Sequence, residues 1–63
     1  MQYFIRAGWG APAINRLSKD KHGWVQWSCE PQSATRFSAE EARDALAKYT
    51  DARDHATIEA VTS

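Results

Sequence analysis

The sequence predicts an α+β domain: a three- to four-stranded antiparallel sheet with one α-helix packed on one face, in the order β-β-β-α-β. Three observations carry that prediction. A capping box precedes an alanine-rich amphipathic run, short aromatic and β-branched segments lie before it, and one more such segment follows it. The 63 residues read as a single domain, 1–63, because no repeat, low-complexity tract or dividing linker interrupts them.

Residues 2–7 (QYFIRA) are rich in aromatic and branched side chains and read as the first strand. Gly8, Gly10 and Pro12 then mark a loop. Residues 13–18 (AINRLS) are read as a middle strand able to pair with 24–29 (WVQWSC) across the polar turn Lys19-Asp20-Lys21-His22-Gly23. In 24–29 the side chains alternate, Val25, Trp27 and Cys29 on one side and Trp24, Gln26 and Ser28 on the other. The helix spans 38–49. Ser38 with Glu41 three residues later forms the capping box, Phe37 and Ala42 the hydrophobic staple. Ala39, Ala42, Ala45 or Leu46, and Tyr49 share its apolar face, and acidic residues in the first turn with Lys48 in the last suit the helix dipole. A polar connection at 50–55 leads to a closing strand at 56–61, where Ile58 and Ala60 alternate with Thr57 and Glu59. The expected core is Ile5, Val25, Trp27, Phe37, Leu46, Tyr49 and Ile58.

Composition narrows the function classes. A chain this short buries only about 60% of the surface its unfolded form exposes, so a catalytic cavity would compete with the core for the same few side chains, and an enzyme is not expected. A mean hydropathy of −0.63 and the lack of any apolar run of about 18 residues exclude a membrane-spanning helix. The start, MQYFIRAG, lacks the basic region and apolar stretch of a secretory signal, and Cys29 is the single cysteine, so a cytoplasmic, reducing setting is expected. The neutral total conceals a dipole. Residues 1–36 carry five basic side chains against two acidic, and residues 37–63 three against six.

Few residues suggest chemistry. Cys29, alternating with Val25 and Trp27, reads as a small buried hydrophobe. His22 and His55 match no zinc spacing, and Asp51, Asp54 and His55 read as a solvated loop rather than a cation site. No phosphate loop, dinucleotide fingerprint or hydrolase elbow is present, and no cofactor or metal is expected. The aromatic residues say more. If Ile5 faces the helix, Phe4 and Arg6 face away from it and join Trp24 and Gln26 on a side that one helix cannot cover, with Trp9 at its edge. The bland reading of that side is a thin second core closed by the loop at 8–12. The binding residues expected are Phe4, Arg6, Trp9, Trp24 and Gln26 on the sheet, with Glu40 and Asp44 on an acidic helix face whose simpler reading is a solvated surface. A rival use is nucleic-acid binding, aromatics stacking on bases and Arg6, Arg16, Lys19, Lys21 and Arg36 meeting phosphates, against which the neutral total weighs.

The segment Ala34-Thr35-Arg36-Phe37-Ser38-Ala39-Glu40-Glu41-Ala42 resembles one that recurs in very small uncharacterised proteins of phages and prophages. Those chains open with a strand similar to Tyr3-Phe4-Ile5-Arg6, pass through a hairpin near a tryptophan such as Trp24, and end on a strand like Ala56-Thr57-Ile58-Glu59-Ala60-Val61. The segment from Trp9 to Asp20 departs from their compact hairpins. The resemblance implies a mobile-element accessory protein of the anti-CRISPR or anti-defence kind, inhibiting a larger host protein or complex, including one that handles nucleic acid. The expectation is therefore a non-enzymatic binding protein, monomer or homodimer. The alternatives are a small nucleic-acid-binding regulator and a self-associating structural module.

Overall fold

A computed structural model describes residues 1–62. Four short strands, β1 (Tyr3–Arg6), β2 (Arg16–Lys19), β3 (Val25–Ser28) and β4 (Thr57–Ala60), form one antiparallel sheet in the order β3-β2-β1-β4. The helix α1 (Ala39–Tyr49) enters between β3 and β4, so the expected β-β-β-α-β order is the observed one and the sheet has four strands. Each strand is four residues long, a little shorter than its sequence signal.

Local chemistry accounts for the element ends. Ser38 Oγ accepts from the Glu41 N–H at 3.2 Å, and the Glu41 carboxylate accepts from the Ser38 N–H at 3.0 Å, so two of the orphan donors of the helix N-terminus are satisfied at once. Phe37 and Ala42, the two halves of the staple, are both buried. The β2–β3 turn is held by Asp20, whose Oδ1 accepts from the N–H groups of His22 (2.8 Å) and Trp24 (2.9 Å), while Gly23 takes φ = +84°, a region costly to residues bearing a Cβ.

The sheet is split at one end. Tyr3 and Phe37 exchange backbone hydrogen bonds of 2.8 Å in both directions, and Thr35 N–H donates to the Leu17 carbonyl at 3.1 Å while its Oγ1 accepts from Lys19 N–H at 2.7 Å. Residues 35–37 thus wedge between β1 and β2, which pair only at Arg6–Arg16. The wedge delivers Phe37 into the core immediately before the helix starts.

Register fixes the two faces. Ile5 lies opposite Ile58 on β4, and Leu17 opposite Trp27 on β3. Ile5, Leu17, Phe37, Ala42 and Ala45 form the buried cluster between sheet and helix, flanked by the partly buried Tyr3, Val25, Trp27, Leu46, Tyr49 and Ala56. Three sequence expectations are corrected here. Leu17, not among the expected core residues, is one of the two largest fully buried side chains, because the middle strand is in register with Trp27. Ile58 is 38% exposed, because β4 is an edge strand. Ala39 is exposed at the first helical position, and Ala42 and Ala45 carry the buried stripe instead. No helix among the described residues is long and apolar enough to cross a membrane.

Candidate functional site

The face turned away from the helix carries Phe4, Arg6, Arg16, Ser18, Gln26, Ser28, Thr57 and Glu59, as pleat alternation requires once Ile5, Leu17, Trp27 and Ile58 face inward. Phe4 lies directly opposite Glu59, and Arg6 opposite both Arg16 and Thr57. Arg16 binds this surface together. Its Nε donates to Glu59 Oε1 at 2.8 Å and its Nη2 to Oε2 at 3.4 Å, and its guanidinium carbon stands 4.9 Å from the centre of the Phe4 ring. Arg6 Nη1 reaches the same carboxylate at 3.7 Å. The hydrogen bond from Arg16 holds the Glu59 carboxyl below the usual glutamate range, with the charges of Arg16 and Arg6 adding to it and partial burial opposing it.

Two guanidinium groups sharing one carboxylate leave the centre of this face net positive by one charge. Phe4 is half-buried beneath Arg16, and Arg6 and Gln26 are exposed. The expectation that Phe4, Arg6 and Gln26 share the helix-free side is met. The loop at 8–12 does not close that side as a second core.

Trp24 is the outstanding residue of the surface, at 76% exposure. It lies just before β3, opposite Asp20 in the continued register, since Asp20 N–H donates to its carbonyl at 3.0 Å. Alternation with Gln26 places it on the helix-free side. Its backbone is fixed by Asp20 at both N–H and C=O, so a free indole projects from a firm hairpin, with Lys19, Lys21 and His22, all exposed, beside it in the chain.

Trp9 lies at the end of the sheet, lining one depression with Arg6 and Thr57 of the helix-free face. Its ring stands edge-on to Trp27, centroids 5.5 Å apart at 76°, and its Nε1 donates to Asp54 Oδ1 at 3.2 Å. Since Trp27 faces the helix side, Trp9 caps the end of the sheet between its two faces. There it borders an open depression of about 220 Å³ that also touches Arg6, Pro12 and His55. Gly8 makes the approach possible: a Cβ there would sit 2.5 Å from His55 Cβ and 2.6 Å from the His55 carbonyl oxygen.

The helix acids form a separate surface. Glu40 and Asp44 are exposed on α1, on the opposite side of the sheet from Phe4 and Arg6. Asp44 lines a shallow groove of about 170 Å³ with Lys19, Glu41, Lys48 and Tyr49, so cations interleave with the carboxylates. Cys29 is exposed, not buried, because β3 ends at Ser28 and the alternation stops before reaching it. Asp51 and Asp54 are engaged in capping the short 3₁₀ turn Ala52–Asp54, and among the described residues no group of three or more potential ligands is placed to hold a metal ion.

Of the pair that organises the exposed face, Glu59 was not among the candidate residues and Arg16 was expected only to meet phosphates in the nucleic-acid reading. They are 43 positions apart, and only the strand register brings them together. Alternation in 56–61 already set Glu59 opposite in sense to Ile58, which was the one available signal. No protein-family model, curated protein or solved structure matches the chain.

Proposed function

We propose that this chain is a non-enzymatic binding protein that acts by occupying a site on a larger protein, with Trp24 as its anchor and the face bearing Phe4, Arg6 and Gln26 as the surrounding contact area. The observation that carries this reading is an indole left 76% exposed on a turn fixed by Asp20. A tryptophan offers large apolar area and a polar N–H for the loss of only two side-chain rotations, which is why it dominates interface energetics when it enters a pocket. A backbone already set by hydrogen bonds loses little further freedom on docking.

The charge pattern favours a protein partner over nucleic acid. Arg16, which a phosphate-binding face would need free, is committed to Glu59, and the chain as a whole is formally neutral. The resemblance to small phage and prophage proteins extends the reading to a mobile-element accessory protein that inhibits a host protein, as anti-CRISPR proteins do.

The test is affinity capture from a host lysate with the wild-type chain, Trp24→Ala, and a double charge reversal at Glu40 and Asp44. A specific partner is expected to bind about 30-fold or more weakly to Trp24→Ala, the loss typical of an interface anchor worth about 2 kcal/mol. The same partner is retained by the helix variant. Partners held equally by Trp24→Ala would refute the assignment, and steeply salt-dependent binding to bare DNA or RNA would replace it with the nucleic-acid reading.

A further inference from the structure

The outer edge of β3 is unprotected. Edge strands are ordinarily blunted by a charge, a proline or a bulge, since their free backbone groups template pairing with another chain. The run Trp24-Val25-Gln26-Trp27-Ser28-Cys29 contains no charge, proline or glycine, and its pairing with β2 is unbroken from Arg16–Ser28 to Lys19–Val25. The other edge strand, β4, carries Glu59. The hydrogen bond from Asp20 N–H to the Trp24 carbonyl sets the phase of the ladder. Trp24, Gln26 and Ser28 therefore turn their backbone groups toward β2, and Val25 and Trp27 turn theirs outward. These outward groups find no backbone partner among the described residues.

We propose that β3 pairs antiparallel with β3 of a second copy, about a twofold axis through Gln26, to give a continuous eight-stranded sheet. Charge selects the occupant and the ladder phase selects the register. Lys21 and His22 lie at one end of the edge and Glu30 at the other, so antiparallel self-pairing brings the basic turn of each copy to the side of the other's glutamate. Centring on Gln26 pairs Val25 of each copy with Trp27 of the other, so that both outward-turned residues of the strand are used. Centring on Val25 or on Trp27 would instead match one of the two with a residue beyond the strand ends.

The Gln26-centred register also sets Val25 opposite Trp27 of the second copy, an aromatic and β-branched pair on the helix side, where both residues are now half-buried. Those two residues are the ones with outward backbone groups, so about four inter-copy hydrogen bonds close across the axis. On the other side both Trp24 rings project from one face, about 14 Å apart at a strand rise of about 3.4 Å per residue. The pairing stands independently of what Trp24 binds.

Sedimentation velocity over rising micromolar concentrations tests the association, and Gln26→Cys in a Cys29→Ser background tests the register. A non-hydrogen-bonded pair on the axis has Cα atoms about 4.5 Å apart, within disulfide range. Mild oxidation is therefore expected to convert this variant to a reducible covalent dimer. The wild-type chain, whose two Cys29 residues stand about 20 Å apart in this register, should not cross-link. Gln26→Lys, at an exposed position, is expected to keep the monomer's circular dichroism and weaken the dimer severalfold. A chain that stays monomeric at the highest concentration, or Gln26→Cys cross-linking no better than wild type, overturns the proposal.

Discussion

Replacing Leu17 by alanine is the sharpest test of the core and of the middle strand together. Leu17 is 2% exposed and packs with Ile5, Phe37, Ala42 and Ala45. Truncating such a leucine removes its transfer free energy and leaves a cavity, a combined cost of about 2.7–5 kcal/mol. The helix lies mainly over β1 and β4, with β2 toward the margin of its cover, so some collapse is available and the lower end, about 3 kcal/mol, applies. A 63-residue domain holds roughly 3–9 kcal/mol in all, at about 0.05–0.15 kcal/mol per residue. The substitution should therefore lower the melting midpoint by about 12–24 °C, since each kcal/mol moves a domain of this size by about 4–8 °C. Thermal and urea unfolding followed by circular dichroism measure it, with Ile14→Ala as the control. Ile14 belongs to the same sequence segment yet is 38% exposed, so its truncation should cost under about 1 kcal/mol. If Leu17→Ala melts within a few degrees of wild type, or Ile14→Ala costs as much, the register of β2 is wrong.

Three further outcomes follow from particular contacts. Ser38→Ala removes a hydroxyl that caps α1 and should cost about 1 kcal/mol in urea unfolding, with Ser38→Asp restoring most of it. Gly8→Ala should cost about 1–3 kcal/mol, because its Cβ would meet the His55 backbone and the segment would have to move. Glu59 has a folded-state pKa below its unfolded value. Its contribution is therefore present above the ordinary glutamate range and is lost as pH falls through the folded value. Glu59→Gln should accordingly be less stable than wild type at neutral pH, and the gap should narrow on acidification; a gap that widens in acid would contradict the pairing with Arg16.

The helix was the most legible element, because its signals are local. Ser38, Glu41, Phe37 and Ala42 lie within six positions of one another, and the capping box they predict is the one observed. The strands were legible as runs but not in their ends. Residues 13–18 begin with Ala13 and Ile14, both exposed, and the alternation that places Leu17 inside starts only at Arg16. Whatever depended on distant partners was hidden. Trp9 reads as a loop aromatic until Asp54, 45 positions away, accepts its indole N–H and Trp27 receives its edge. Cys29 follows the inward parity of Val25 and Trp27, but parity has force only while the strand lasts, and β3 ends one residue earlier. Of the surface, alternation gave the sidedness of Phe4, Arg6 and Gln26. The charge network that sits among them required the fold.

The position of β1 has a consequence for how the molecule assembles. It comes first of the four strands along the chain and is bordered in the sheet by β4, the fourth. The strands β1, β2 and β3 can meet without the rest, but Ile5 has neither its opposite number Ile58 nor the roof of Ala42 and Ala45 until α1 and β4 have joined them. The core thus closes only once α1 and β4 are in place, and deleting residues 50–62 should undo the entire structure rather than one corner of it.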